Sequence, residues 1–165
     1  MSNFRQSSSY DARVTEIDNF NSQNAWKKRG ISIVPMRWPH RFFGIRYTCQ
    51  IAVYQDDCTI AVVHGGIEMG QGINTKVAQA VAGTLGVALD LVKVKASNTF
   101  VAPGNDITGG SMGSDLASKA GQIAAQDLLA RLDQAAADAG LVNPTWEDKV
   151  KEAYRVGVDL SARHT

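Results

Sequence analysis

His64-Gly65-Gly66-Ile67-Glu68-Met69-Gly70-Gln71-Gly72 places four glycines in nine positions, at the point where an apolar run gives way to helical spacing. A backbone stripped of side chains lets peptide N–H groups approach a ligand closely, and a helix beginning behind it directs its positive end toward the same spot. The chemistry this favours is recognition of an anionic or acceptor-rich molecule. A second loop, Thr108-Gly109-Gly110-Ser111-Met112-Gly113-Ser114, again stands before a helical stretch. Two such loops in one small chain point to a single shared site. Taken alone, each is equally well an ordinary tight turn, because a Gly-rich turn is a weak signal.

Other chemistries find little support. No G-x-x-x-x-G-K-[ST] segment is present. Gly70-Gln71-Gly72 runs on to Thr75 where a dinucleotide fingerprint requires glycine, and the hairpin read before it is not a βαβ unit. Gly-x-Ser-x-Gly is absent, which disfavours a nucleophile-elbow hydrolase. His40, His64 and His164 lack ligand spacing, and His64 reads as a satisfied turn histidine rather than a base. Glu68 is either an acid–base group or a carboxylate that stabilises its own loop beside a helix start. Cys49 and Cys58 form neither a CxxC pair nor a Cys/His cluster, so zinc and iron–sulfur ligation within the chain are unsupported. Buried free thiols in a reduced, cytoplasmic setting are expected, with pairing across a hairpin as the alternative.

These loops need elements to hold them. The 165 residues suffice for one domain with a core, and 44% hydrophobic and 20% charged residues are ordinary for a globular chain. A net charge of +1 argues against a dedicated nucleic-acid or membrane-surface binder. No apolar stretch is long enough to span a bilayer, and the polar start lacks a secretory signal. Helical spacing of Tyr10, Val14 and Ile17 predicts a helix from Tyr10 to Trp26, and Ile31, Val34 and Pro35 a short strand. Met36 to Tyr47 reads as an irregular, surface or ligand-facing segment.

Ile51–Tyr54 and Thr59–Val63 read as hairpin strands joined across Gln55 to Cys58. Ile73, Val77, Ala80, Val81 and Leu85 give one face of a helix that ends at Gly86. Leu91 to Ala96 forms another strand, followed by a long loop from Asn98 to Gly113. A long helix over Ser114–Ala139 is expected to bury Leu116, Ala120, Ile123, Ala124, Leu128 and Leu132, and to close at Gly140. Thr145-Trp146-Glu147-Asp148 reads as a capping box opening a last helix with Val150 and Tyr154 facing inward. Gly157 ends that helix, and Val158 to Leu160 start a strand. The fold class is α+β, mixed strands and helices in one unit, without repeat or interdomain linker.

The run from His64 to Lys76, His-Gly-Gly-Ile-Glu-Met-Gly-Gln-Gly-Ile-Asn-Thr-Lys, resembles the molybdenum-cofactor segment of the xanthine dehydrogenase and aldehyde oxidase family. Glu16 to Asn21 and Trp26 to Ile31 upstream, with Pro103 to Ser111 and Pro144 to Glu147 downstream, keep the order of that family. The resemblance extends from Ser9 to Ser161. It implies that residues 1–165 are part of a molybdopterin-binding domain, the second molybdenum-binding subdomain, truncated at both ends. It further implies that Met69, Gly70 and Gln71 line the molybdopterin, with backbone amides and the Gln71 carboxamide as donors. Thr108, Gly109, Gly110, Ser111 and Ser114 form the second wall, with the Gly110 backbone beside the molybdenum.

Family members hydroxylate aldehydes or N-heterocycles with water-derived oxygen, and 2Fe-2S clusters and FAD carry the electrons away. By this resemblance those groups lie in other parts of a cytoplasmic, homodimeric parent, and no catalytic residue falls within this chain. The general-base glutamate is expected beyond residue 165, and Glu68 stands in the wrong motif to replace it. Gly104 stands where the family usually has asparagine, and Met36 to Tyr47 is shorter than its counterpart. The wording Thr108-Gly109-Gly110-Ser111 leans toward aldehyde oxidase over xanthine dehydrogenase. An alternative is a truncated, non-catalytic fragment or interaction module whose final strand and apolar faces lack partners. An independent nucleotide-binding enzyme ranks last for want of a complete phosphate motif.

Overall fold

The computed structural model describes residues 2–37, 44–103 and 105–165. The part of the Met36–Tyr47 segment from 38 to 43, and Gly104, lie outside the described residues. The chain divides into two compact units, Met1–Pro39 and His40–Thr165, where the sequence reads as one.

In the first unit a short helix α1 (Ser2–Ser7) precedes α2 (Tyr10–Gln23). Ser9 takes a left-handed conformation (φ 52°) between them, and Arg5 pairs with Asp11 at 2.6 Å across the turn. Neither helix buries a side chain. The α2 helix stops three residues before the expected Trp26. From there the Asn21 side chain brackets Arg29, donating to its carbonyl at 3.0 Å and accepting from its amide at 2.9 Å. The Arg29 guanidinium also lies 3.9 Å from the Phe20 ring centroid. Ile31 to Pro35, expected as a strand, is irregular backbone. No strand of the first unit is available to pair with it among the described residues, and an extended segment gains its stability from pairing.

The second unit is a four-stranded sheet with helices packed on it. Strand β1 (Cys49–Val53) pairs antiparallel with β2 (Ile60–His64), as the hairpin reading expects, with Val53 opposite Ile60 and Cys49 opposite His64. The chain then enters α3 (Ile73–Leu85), passes a single 3₁₀ turn (Leu89–Leu91) and returns as β3 (Val92–Val94), parallel to β2. The glycine loop therefore does open a βαβ crossover, contrary to the sequence reading. That parallel pairing is a tertiary choice between strands some thirty residues apart, and periodicity carries no trace of it. Helix α4 (Gly113–Asp138) and helix α5 (Trp146–Arg155) follow, and the last strand β4 (Ser161–His164) closes on β1, giving the order β3-β2-β1-β4. The final strand thus has a partner, where the sequence reading left it alone, and it begins at Ser161 rather than Val158.

Strict alternation on β1 and β2 turns Cys49, Ile51, Val53, Ile60, Val62 and His64 toward the helices, all buried. Helix α3 meets them with Ile73, Val77, Ala78, Val81, Ala82 and Leu85, and Gly86 (φ 70°) caps it in the left-handed region. Helix α4 buries Ala117, Ala120, Gly121, Ala124, Ala125, Leu128 and Leu132, while Leu116 and Ile123 are only half-buried. Ala120, Ala124, Leu128 and Leu132 are buried as expected, and Ala117, Gly121 and Ala125 take the places read for Leu116 and Ile123, small residues that let two helix backbones approach closely. A Cβ on Gly121 would stand 3.2 Å from Val81 Cγ2 and 3.4 Å from both Cys49 Sγ and Val77 Cγ1.

The capping box forms as read. Thr145 accepts from the Asp148 amide at 3.2 Å, and the Asp148 carboxylate accepts from the Thr145 amide at 2.9 Å. Of the two residues expected inside α5, Val150 is buried, but Tyr154 is 57% exposed and Ala153 takes its place. At helical spacing 150 and 153 share a stripe as readily as 150 and 154, and only packing against α4 decides between them. Trp146 Nε1 donates to the Cys58 carbonyl at 2.9 Å, tying α5 to the hairpin turn.

Cys49 and Cys58 are both buried free thiols, at opposite ends of the hairpin. A strand rise of about 3.3 Å per residue separates them far beyond disulfide reach. Burial pushes the Cys49 thiol up to about 12. The Gly121 crossing yields a direct expectation. Gly121→Val should destabilise the chain by about 1–3 kcal/mol through overpacking, read as a lower urea midpoint, and an unchanged midpoint would refute the close approach.

Candidate functional site

Both glycine loops meet in one place. A cleft of about 480 Å³ is lined by Met69, Gln71, Thr108, Gly109, Gly110, Ser111 and Ser114, seven of the eight residues singled out from the sequence. Gly70, between Met69 and Gln71, does not line it. Tyr47, Gly66, Ile67, Ile73, Lys76 and Gly113 complete the wall. Ile67, Ile73 and Lys76 lie inside the recognised motif. Tyr47 ends the segment read as surface or ligand-facing, and its own part is set by contacts sixty residues away.

The first loop is shaped by packing before any ligand is considered. A Cβ on Gly65 would stand 1.9 Å from the Asn105 carboxamide, so that position admits no side chain while Asn105 is in place. Asn105 in turn accepts from the Thr48 amide at 2.8 Å and donates to the Ala102 carbonyl. A Cβ on Gly66 would meet the Ile73 Cδ1 at 2.3 Å and the His64 ring at 3.2 Å. The first two glycines therefore serve the loop's own closure. Gly70 (φ 98°) and Gly72 (φ 80°) differ: both are left-handed and face open space.

His64 is 2% exposed and fully bonded. Its Nδ1 accepts from the Gly66 amide at 3.1 Å, which leaves the ring proton on Nε2 to donate to Asn74 Oδ1 at 2.9 Å. Burial is the main cause that holds its pKa below the ordinary value, against the opposing pull of Asn74 and Glu68. This is the satisfied turn histidine of the sequence reading. Glu68 likewise stabilises its own loop. Its Oε1 accepts from the amides of Gly70 and Gly72, each at 3.0 Å, and its Oε2 from that of Asn74 at 3.2 Å. The bonds from Gly72 and Asn74 lower its pKa most, which makes it a poor proton acceptor. Gln71 is also engaged within the loop: Oε1 accepts from the Met69 amide at 2.7 Å and Nε2 donates to the Ile67 carbonyl at 2.6 Å.

The second wall is the opposite case. No hydrogen bond among the described residues engages the amides of Gly109, Gly110 or Ser111, and Gly110 (φ 60°) and Ser111 (φ 57°) are both left-handed. Ser114 Oγ is buried and has no partner. Leaving such a group unsatisfied costs about 1–3 kcal/mol. Tyr47 anchors this wall, donating from Oη to the Ile107 carbonyl at 3.0 Å with Thr108 Oγ1 at 3.4 Å. Lys76 adds a cation to the lining. Ile67, Met69 and Ile107 are 60%, 65% and 74% exposed, giving apolar side chains to this end of the unit.

A second groove of about 510 Å³ lies between α4 and α5, but its charges are answered internally. Arg131 donates to the carbonyls of Asp159 and Ser161 at 2.6 Å, and Arg155 pairs with Glu152 at 2.6 Å. Among the described residues no group of three His, Cys, Asp or Glu is placed to hold a metal ion. The glycine-walled cleft, by contrast, holds donors without a partner among the described residues.

The family model described as "Molybdopterin cofactor-binding domain" matches residues 3–165. Aldehyde oxidase 3 of Rattus norvegicus is 38% identical over 159 residues, covering 95% of this chain and 12% of that protein. Aldehyde oxidase of Homo sapiens is 37% identical over 161 residues, 94% of this chain and 12% of its own length. The chain thus spans about an eighth of the curated relatives it matches. Among solved structures, a Cu,Mo-CO dehydrogenase shares the fold at a TM-score of 0.63 and 21% identity, over 73% of this chain and 18% of that one. Quinoline 2-oxidoreductase from Pseudomonas putida 86 does so at 0.59 and 17%, over 72% of this chain and 18% of that one.

The His64 environment sets a pH expectation. With its folded pKa depressed, His64 contributes stability that is full above its unfolded value of 6.5 and is lost as pH falls through the folded value. The urea midpoint should therefore drop between pH 8 and pH 5 (about three units spanning the ordinary histidine value), and His64→Gln should flatten that drop. A wild-type drop no steeper than the variant's would contradict the bonding described.

Proposed function

Because the chain belongs to the molybdopterin cofactor-binding domain family, we propose that its two-loop cleft is one wall of a molybdopterin site in a larger oxidoreductase of the aldehyde oxidase kind. The observation that carries this reading is the buried, partnerless Ser114 Oγ, set beside free main-chain amides in a cleft that both glycine loops share. A pterin with its phosphate presents many acceptors in a flat, extended frame. Free amides at Gly109, Gly110 and Ser111, the hydroxyls of Thr108, Ser111 and Ser114, and the Lys76 ammonium form a donor set that fits it. Met69 and Gln71 belong to the facing wall, with Gly70 joining them. There the Gln71 carboxamide reaches a ligand by exchanging its bonds to Met69 and Ile67, both of which are exposed. The Gly110 backbone is the part assigned to the neighbourhood of the metal.

When bound, the cofactor supplies the metal centre at which an aldehyde or N-heterocycle is oxidised. This chain's own residues bind and orient it. Glu68 is occupied by three amides and His64 is closed off behind the loop, so neither moves a proton for substrate. The base, the 2Fe-2S clusters, the FAD and a homodimer interface are assigned to other parts of a cytoplasmic parent enzyme, with no nucleic-acid or membrane partner. On this reading residues 1–165 are one stretch of its second molybdenum-binding subdomain, without turnover of their own.

The test uses the protein carrying this segment, produced in cells that make the cofactor. Ser114→Ala should lower bound molybdenum and extractable pterin several-fold. The same change should raise the stability of the cofactor-free 165-residue chain by up to about 1–3 kcal/mol, because a buried hydroxyl without a partner is removed. Gln71→Ala should lower molybdenum and pterin as well. Unchanged metal and pterin content in both variants would overturn the proposal.

A further inference from the structure

Among the described residues, Tyr47 is the one residue from outside the second loop that hydrogen-bonds any part of Ile107 to Ser111. Its hydroxyl donates to the Ile107 carbonyl at 3.0 Å and stands 3.4 Å from Thr108 Oγ1. The same oxygen also reaches the far end of the loop. A Cβ on Gly113, the first residue of α4, would stand 3.1 Å from it and 3.4 Å from the ring carbon Cζ. The phenol therefore spans the neck of the loop, bonded at the entry and close-packed at the exit. Tyr47 is 3% exposed and lines the cleft together with Gly109, Gly110, Ser111 and Ser114. Those residues need holding. Ser111 is left-handed (φ 57°), a region unfavourable to a residue with a Cβ, and the amides of 109–111 have no protein acceptor among the described residues.

We propose that Tyr47 is a positioning residue of the cleft: its hydroxyl holds the neck of the second loop, so that the Gly109, Gly110 and Ser111 amides and the Ser114 hydroxyl stand ready for a ligand. The inference deepens the cofactor reading given above and rests on it for the identity of that ligand. One bond has two effects. Donors fixed in advance bind without the entropy cost of ordering a mobile loop. The bond also occupies the main-chain acceptor next to Thr108, an oxygen that would repel an acceptor-rich ligand. Phenylalanine would fill the same space and do neither. Gly113 belongs to the same device, because the hydroxyl leaves position 113 too little room for a methyl group.

The experiment compares the 165-residue chain, labelled with nitrogen-15 and carbon-13, with Tyr47→Phe, Gly113→Ala and the double variant. In Tyr47→Phe the Ile107 carbonyl carbon should shift. The Gly109, Gly110 and Ser111 amides should shift with it, and their order parameters should fall toward the flexible range, below about 0.6. Amides of Val62 and Val150 report that sheet and helices are intact. Gly113→Ala should disturb the same three loop amides in the wild-type background. It should add little in Tyr47→Phe, where the methyl meets only ring carbon at ordinary contact distance. A tyrosine that merely filled space would give way to phenylalanine without these changes. In the protein carrying this segment, produced in cells that make the cofactor, Tyr47→Phe should lower bound molybdenum and extractable pterin several-fold. Loop amides that keep their positions and order in Tyr47→Phe would overturn the proposal. Loop amides unmoved by Gly113→Ala, or moved equally in both backgrounds, would do the same. The Gly113→Ala reading in the wild-type background decides the question even where Tyr47→Phe does not fold. Full pterin retention in Tyr47→Phe beside its loss in Ser114→Ala would sink this inference and leave the cofactor reading standing. Retention in the Ser114 and Gln71 variants sinks the cofactor reading instead, and with it the ligand assigned here.

Discussion

Thr48 is the joint on which the cleft depends. It is fully buried, and its main chain serves both loops at once: the carbonyl accepts from Gly65 at 3.0 Å, and the amide donates to Asn105 Oδ1 at 2.8 Å. Around it Arg46 and Asp106 exchange two bonds, the Asp106 amide to the Arg46 carbonyl and the Arg46 amide to the Asp106 carboxylate. Tyr47 reaches the Ile107 carbonyl. The entry to β1 is thus zipped to the second loop while its first residues hold the start of the first loop. A single short segment, lying in sequence ahead of both, sets the distance between the two walls. Gly65 is required by this arrangement, because any side chain there would strike Asn105.

The electrostatic consequence is an asymmetric site. Loops that look alike in composition do different work once their hydrogen bonds are counted. Around α3 the amides of Gly66, Met69, Gly70, Gly72 and Asn74 donate to the His64 ring, Gln71 and Glu68, which makes the loop self-supporting. Before α4 the amides and the Ser114 hydroxyl face the cleft without protein acceptors. Buried donors without partners are costly, so a chain that keeps them does so where a ligand completes them.

Much of the scaffold was legible. The β1–β2 hairpin, the helix closing at Gly86, the long helix closing near Gly140 and the capping box at Thr145 all follow from local periodicity and cap chemistry, which act within a few residues. The parallel pairing of β3, the strand missing at Ile31 to Pro35, the exposed Tyr154 and the burial of Ala117, Gly121 and Ala125 in place of Leu116 and Ile123 were not legible. Each depends on a neighbour distant in sequence. Tyr47 was legible only as the end of a surface or ligand-facing segment, and its ties to Ile107 and Thr108 come from sixty residues away.

Residue order alone determined where the bends fall, which positions need glycine's freedom, and the kinship carried by His64 to Lys76, because these are properties of adjacent residues. Tertiary structure alone decided which of those glycines make room for protein and which face open space. It also decided that Glu68 answers its own helix and that Ser114 is left without a partner. The reason is physical. A main-chain donor's availability depends on whatever acceptor folding brings within about 3 Å, and that acceptor can come from anywhere in the chain.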